Sequence, residues 1–131
     1  MQLHFFVNTP GLAIGYDEAN HWLYTDWRGE HDQESSQAAC LQMLEALRAR
    51  PCRKILNDNS SVTRQSMQLT LWGAWWLEEM MNAGLEYVAW VYPRDFEARE
   101  ATENVIRHIT KPVVASFDDV ASAYLWLQQQ A

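Results

Sequence analysis

The sequence feature that most constrains the fold is the uninterrupted apolar run Tyr-Val-Ala-Trp-Val-Tyr at residues 87–92, which Pro93 closes. A strand with one face in water alternates apolar and polar residues, whereas a run without alternation is typical of a parallel strand covered on both faces. Parallel strands are joined by crossover connections, and these are usually helices. The run therefore predicts a sheet with helices packed against it.

Helical periodicity recurs between the short apolar runs. Residues 32–50 predict a first helix, because acidic residues lie near its start and arginines near its end, and Pro51 stops it. Gly84 is placed to end a second helix. The second helix has one continuous apolar face, formed by Leu69, Trp72, Gly73, Trp76, Leu77 and Met80. A weaker helical pattern lies within residues 96–109, and Asp118 is placed to cap a terminal helix.

Short runs rich in aromatic and β-branched residues mark the strands. Residues 3–7, 12–16 and 21–28 favour strands, and the last two form a hairpin through a polar turn. Alternation places Trp22, Tyr24 and Asp26 on one face of the hairpin's second arm, and Leu23, Thr25 and Trp27 on the other. Residues 113–115 predict the last strand. Another short strand begins at Lys54, and the five polar residues 57–61 are expected to end it, because they are typical of a turn.

The order of these elements predicts the fold class. From the first helix onward, helices and strands alternate, which favours an α/β domain with right-handed crossovers. We expect residues 1–131 to form a single domain. It has a mixed, mainly parallel sheet of five to six strands, an N-terminal antiparallel hairpin and about four helices.

Composition excludes several classes of protein. Ten basic against seventeen acidic residues give a net charge of −7, and such a surface repels nucleic-acid phosphates and anionic lipid headgroups. No apolar stretch approaches the length of a membrane span, and the apolar start is too short for a signal peptide. Cys40 and Cys52 lack metal-site spacing. The expectation is a cytoplasmic protein that binds no metal, cofactor or nucleic acid and has no membrane span.

Several stretches together resemble one family. They are residues 21–27 (His-Trp-Leu-Tyr-Thr-Asp-Trp) with Gly29, 54–59 (Lys-Ile-Leu-Asn-Asp-Asn), 83–85 (Ala-Gly-Leu), 89–92 (Ala-Trp-Val-Tyr) and 117–119 (Phe-Asp-Asp). The chain resembles small stand-alone bacterial STAS-like proteins, whose fold is named for sulphate transporters and anti-sigma factor antagonists. The stretches are spread over nearly the whole chain. The resemblance implies a STAS-like fold and a role in protein–protein interaction without catalysis.

The resemblance also implies a regulatory serine. In signalling STAS members a partner kinase phosphorylates a serine after the third strand, at the start of the second helix, within a motif such as Asp-Ser-Ser-Gly. This sequence has Asp58-Asn59-Ser60-Ser61-Val62, with an Asn inserted and the Gly missing. The sequence does not say which serine corresponds to the family's, so both Ser60 and Ser61 are candidate phosphorylation sites.

The polar segment 57–61 is the leading candidate for a binding site. Ligands and partners of open α/β sheets lie beyond the carboxyl ends of the strands, and a following helix start favours an anion. The candidate recognition edge comprises Asn57, Asp58, Asn59, Ser60 and Ser61, with Tyr92 and Arg94 after the next parallel strand. A purely structural interpretation remains open, because Asp and Asn also stabilise their own turns.

Leu71 and Trp75 form a second apolar patch on the second helix. They lie about 100° around the helix from its main apolar face. A monomer exposes such a patch or covers it with a loop, and exposed aromatic patches mark contact surfaces. We expect this patch to contact a protein partner or a second copy of the chain, which would make a homodimer.

Three functional hypotheses follow. The first is a non-catalytic protein-interaction or regulatory module that resembles anti-sigma factor antagonists. The second is a small-ligand or lipid-binding STAS-like module, whose pocket the many Trp and Tyr residues would line. The third is a small enzyme that uses Asp26 and Asp58 at strand ends as paired carboxylates. The enzyme is disfavoured because no nucleophile, metal or activated base accompanies the pair.

Overall fold

The computed structural model describes residues 2–66 and 70–131. The elements in chain order are β1 (Leu3–Asn8), β2 (Leu12–Asp17), β3 (Trp22–His31), α1 (Gln33–Ala49), β4 (Lys54–Gln65), α2 (Leu71–Asn82), β5 (Tyr87–Val91), α3 (Phe96–Ile106), β6 (Val113–Phe117) and α4 (Val120–Gln128). The strands form one six-stranded sheet in sequence order. β1 to β3 pair antiparallel, and β3 to β6 pair parallel. The predicted α/β class, mixed sheet and four helices are confirmed.

The helices divide between the two faces of the sheet. Successive residues of β3, β4 and β5 enter different apolar clusters, as the alternation of a strand requires. One cluster contains Leu23, Ile55 and Val88 together with buried residues of α1, α2 and α3. The other contains Trp22 and Leu56 with buried residues of α4. We call these the three-helix face and the α4 face. The predicted alternation of residues 22–27 is confirmed.

Local sequence signals explain the helix ends. Asp32 and Ser35 form a capping box at the start of α1. Gly84 follows α2 with a φ of +114°, a conformation that favours glycine, as predicted. The predicted cap of α4 was wrong by one residue: the Asp119 carboxylate accepts the Ser122 backbone N–H, whereas Asp118 forms an ion pair with Arg99.

The second helix is less deeply packed than its apolar face predicted. Within α2 only Met80 is fully buried, while Trp72, Gly73, Trp76 and Leu77 are partly covered. Leu69, which the sequence places on the same face, lies outside the described residues. α2 packs mainly against α1 rather than directly on the sheet, so it forms an outer wall of the three-helix face.

The expected end of β4 was wrong. Polar residues 57–61 do not form a loop but continue the strand, which runs to Gln65. They remain extended because β3 is also long and pairs with them as far as His31. Their side chains find hydrogen-bond partners on β3 and within β4, so burial of the polar groups does not stop the strand.

Candidate functional site

The polar segment of β4 divides its side chains between the two faces of the sheet. On the three-helix face, the buried Asn57 Oδ1 accepts two hydrogen bonds from β3, one from the Thr25 hydroxyl (2.6 Å) and one from the Trp27 indole N–H (3.0 Å). All three residues are buried. Asn57 therefore joins two strands inside the protein and is not a surface recognition residue.

Asp58 lies on the α4 face and accepts hydrogen bonds from both neighbours on that face. Its Oδ2 accepts from the Tyr24 hydroxyl (2.6 Å), and its Oδ1 accepts from the Ser60 hydroxyl (2.7 Å) and the Ser60 backbone N–H (2.9 Å). Burial and the bond to Asp58 both raise the pKa of Tyr24. The phenol is therefore protonated at neutral pH and acts as a hydrogen-bond donor.

A β-bulge shapes this part of the strand. Asp26 pairs with Asp58, but the next pair joins Arg28 to Ser61, so two β4 residues, Asn59 and Ser60, oppose one residue of β3. The Ser60 N–H bonds to the Asp58 carboxylate, as in an Asx turn. Bulges of this kind re-aim side chains and occur next to functional sites.

An ion pair lies beside the bulge on the same face. Arg28 Nε donates to Asp26 Oδ2 at 2.9 Å, and both side chains are partly exposed. We define the open-face patch as the cluster that these two pairs form with the bulge: Tyr24, Asp26, Arg28, Asp58 and Ser60. Alternation along β3 already places its three patch residues on one face, but only the structure shows that Asp58 and Ser60 complete the cluster.

One aromatic residue of β1, Phe5, borders the open-face patch. Phe5, Gly15 and Tyr24 lie opposite one another across β1, β2 and β3. Gly15 has no side chain, so the Phe5 ring lies directly over it, within 3.3 Å of where a Cβ would stand. The Phe5 and Tyr24 rings meet edge to face at 6.5 Å. Phe5 nevertheless remains 50% exposed, because α4 lies over β4, β5 and β6.

The other predicted binding residues lie at the end of β5. Tyr92 follows Val91, the β5 partner of Asp58, so it lies at the same edge of the sheet. The Tyr92 hydroxyl donates to the Ser116 hydroxyl (2.9 Å), and the Arg99 guanidinium stacks on the Tyr92 ring. Arg94 is exposed. Tyr92 is thus held towards β6 by its bond to Ser116.

Asp26 and Asp58 were wrongly expected to end strands. Both lie inside strands and oppose each other in register. Asp26 is bound by Arg28, and Asp58 by Tyr24 and Ser60. In the part of the chain that the structure describes, no group of three His, Cys, Asp or Glu side chains is arranged to hold a metal. The carboxylates act there as hydrogen-bond acceptors.

The predicted patch on α2 is strongly exposed. Leu71, the first residue of α2, is 92% exposed, and Trp75 is 43% exposed. The Trp75 ring lies 5.8 Å from that of Trp72. Across residues 2–66 and 70–131, no helix is both long and apolar enough to cross a membrane.

Comparison with solved structures establishes the fold. An uncharacterised protein of the DUF3478 family with a SpoIIAA-like fold, from Shewanella loihica PV-4, superposes with a TM-score of 0.57. The two chains are 24% identical over 93% of this chain and 98% of that one. SiaC of Pseudomonas aeruginosa matches with a TM-score of 0.41 and 18% identity over 89% of this chain and all of SiaC (100%). No protein-family model and no curated protein matches the chain. This chain therefore has a SpoIIAA-like, that is STAS-like, fold.

Proposed function

We propose that residues 1–131 form a single STAS-like domain that works in the cytoplasm as a non-catalytic protein-interaction or regulatory module. The observation that carries the proposal is the open-face patch. Its polar groups are fixed by mutual hydrogen bonds on a rigid sheet, and the half-exposed Phe5 borders it. Such a surface is preorganised for contact with a partner.

The residue types of the patch suit a protein partner. Arg, Tyr and Phe are enriched in interfaces, where an aromatic or guanidinium group supplies much of the binding energy. Arg28 extends from the patch with its guanidinium partly exposed, and Phe5 offers an apolar ring beside it. We infer a partner surface that combines an apolar contact for Phe5 with hydrogen-bond acceptors for Arg28.

The chemistry of the patch favours binding over catalysis. The pKa of Tyr24 is raised, so the phenol stays protonated at neutral pH and is a weaker acid than usual, and Asp58 is engaged by two neighbouring side chains. A catalytic acid or base needs a proton that it can exchange near neutral pH. The Tyr24 hydroxyl proton is instead engaged in a hydrogen bond to Asp58.

Phosphorylation remains a proposal for regulating this surface. Ser61 is exposed, whereas the Ser60 hydroxyl is bonded to Asp58. The expected support from a helix start is absent, because both serines lie within β4 and α2 begins only at Leu71. Because it is exposed and its neighbour's hydroxyl is bonded, Ser61 is the more accessible of the two sites. A phosphate on Ser60 would place a charge of about −2 beside the Asp58 carboxylate and disrupt the patch.

Leu71 and Trp75 are proposed as a second contact surface, for a partner or for a second copy of the chain. Their support is the exposure of large apolar side chains on a helix that packs mainly on α1. Trp75→Glu is expected to lower the mass in solution if the chain is a homodimer through this surface. An unchanged mass and an unchanged thermal midpoint would remove the surface as an interface.

The test of the main proposal is affinity capture with charge-reversed variants. Arg28→Glu reverses a charge in the open-face patch. Arg48→Glu is the matched control, since Arg48 also pairs with a carboxylate, that of Glu79, but lies on α1. We expect a protein captured by the native chain to be lost with Arg28→Glu and retained with Arg48→Glu, while both variants keep the native thermal midpoint. A captured protein that binds both variants equally contradicts the proposal.

A further inference from the structure

A cavity of about 70 Å³ lies on the three-helix face, between α1, α2, α3 and the sheet. A smaller void of about 20 Å³ adjoins it on the side of the core. Both spaces are lined by Met43, Asn57, Trp76, Leu77, Trp90 and Ile109. The cavity is on the opposite side of β4 from the open-face patch, so it is independent of the proposed protein contact.

The cavity contains buried polar groups that lack partners. In the described part of the chain, four buried side-chain polar atoms have no hydrogen-bond partner: Trp22 Nε1, Ser36 Oγ, Asn59 Nδ2 and Trp90 Nε1. Two of these residues, Ser36 and Trp90, line the cavity, and they are only 3% and 8% exposed. Buried polar groups in native proteins are normally satisfied, so each exception requires an occupant or another explanation.

The other residues that line the cavity limit the charge and size of the molecule that could occupy it. The described residues that line the cavity include five large apolar side chains of α2 and the sheet but no Asp, Glu, Lys, Arg or His. A charged molecule would lose its hydration there without gaining an opposite charge. The exposed Gln33 and partly exposed Gln37 lie where the cavity opens along α1. The space is far smaller than a drug-sized pocket, which excludes an acyl chain or a nucleotide.

We propose that this cavity binds a small neutral molecule, no larger than a single ring, that carries a hydrogen-bond acceptor. The acceptor accepts a hydrogen bond from the Trp90 indole N–H, and a hydroxyl on the same molecule forms a hydrogen bond with the Ser36 hydroxyl. The ring lies among Met43, Trp76 and Ile109. α2 forms the movable wall, because it packs mainly on α1 and only Met80 of its residues is fully buried.

The test uses three one-ring probes on the native protein: phenol, toluene and benzoate. Phenol has the acceptor and the hydroxyl, toluene has only the ring, and benzoate carries a charge. The readout is the NMR signal of the Trp90 indole N–H, assigned by its loss in Trp90→Phe. We expect phenol to shift this signal saturably and to raise the thermal midpoint. Toluene should bind about tenfold more weakly, and benzoate should leave the signal unchanged.

Two variants locate the binding. Ser36→Ala is expected to weaken phenol binding several-fold, whereas Trp126→Phe, on α4 across the sheet, should leave it unchanged. Absence of a saturable shift of the Trp90 signal with phenol overturns the proposal and leaves water as the occupant. Equal binding of all three probes also overturns it. The titration of the native protein decides the matter even if a variant does not fold, and it does not depend on any protein partner.

Discussion

The two faces of the sheet place their polar groups differently. On the three-helix face, the polar side chains of β3 and β4 are enclosed: Asn57, Thr25 and Trp27 bond to one another under the helices, next to a cavity. On the α4 face, the helix covers an apolar cluster around Leu56, and the polar groups of the open-face patch lie beyond it, all partly exposed except the buried Asp58. A single strand, β4, contributes to both arrangements.

This difference shows that the polar segment 57–61 contributes to two separate arrangements, because its side chains alternate between the two faces of the sheet. Asn57 faces inward, where its hydrogen bonds hold two strands together. Asp58, the next residue, faces the opposite side and organises the open-face patch. Because alternate side chains point to opposite faces, neighbouring substitutions should have unlike consequences. The predictions below test that separation, from the largest expected effect to the smallest.

The largest loss of stability is expected from a substitution in the apolar cluster under α4. Leu127 is fully buried in the α4 cluster, so Leu127→Ala removes its packing and leaves a cavity, which costs about 2–5 kcal/mol of unfolding free energy. Leu125, two residues earlier, is largely exposed. Leu125→Ala should change the free energy of unfolding by less than about 0.5 kcal/mol. Urea denaturation measures both, and equal losses would show that α4 does not lie on the sheet as described.

A substitution in the enclosed polar network of the three-helix face should lower the free energy of unfolding almost as much. Asn57→Ala leaves the Thr25 hydroxyl and the Trp27 indole N–H without their acceptor inside the protein, which costs about 2–4 kcal/mol.

Asn59→Ala is the matched control for that substitution, because Asn59 accepts one long bond (3.3 Å) and its own amide N–H₂ has no partner in the described structure. It should cost about 1 kcal/mol or less in the same denaturation experiment. A reversed order of the two losses would contradict the assignment of Asn57 as the residue that joins β3 to β4.

The open-face patch should tolerate substitution better. Tyr24→Phe removes one hydrogen bond to the buried Asp58 but leaves both bonds from Ser60, and Tyr24 itself is only partly buried. We expect a loss of about 0.5–1.5 kcal/mol. A loss as large as that of Asn57→Ala would mean that the patch belongs to the core, which would weaken its assignment as a contact surface.

The smallest effect concerns acid stability at the two helix starts on opposite faces. Hydrogen bonds from Ser35 hold the pKa of Asp32 below its ordinary value, and those from Ser122 do the same for Asp119. Because the folded-state pKa values are lowered, both carboxylates stabilise the fold above about pH 4. That stabilisation is lost as the pH falls through the lowered values. Asn also caps helices well and does not titrate. Asp32→Asn with Asp119→Asn should therefore flatten the loss of stability between about pH 5 and about pH 3, measured by denaturation at each pH.

The apolar patterns of the sequence predicted most of the fold. The unbroken run at residues 87–92 and the helical spacing of α1 and α2 report burial directly, and burial is what decides sheet and helix. The polar half of β4 was missed for the same reason. Its residue types are typical of turns, and the partners that keep them extended lie 30 to 34 residues away on β3. No local pattern contains that information.

The candidate site was only partly predictable. Asp58 and Ser60 were identified from the sequence, and the alternation of β3 placed Tyr24 and Asp26 on one face. The bulge that brings these side chains together depends on the register of two strands, which is set by long-range pairing. The cavity beside Ser36 and Trp90 results from how α2 packs on α1, and residue spacing along one helix does not reveal it.

Hydrogen exchange of the backbone amides in residues 57–65 tests most directly whether this polar segment is a strand with two distinct faces. The strand pairing with β3 should slow exchange of the paired amides by about a thousandfold or more relative to an unstructured chain. Exchange of the whole segment within about tenfold of the unstructured rate would show a loop. Both the enclosed network and the open-face patch would then lose their common support.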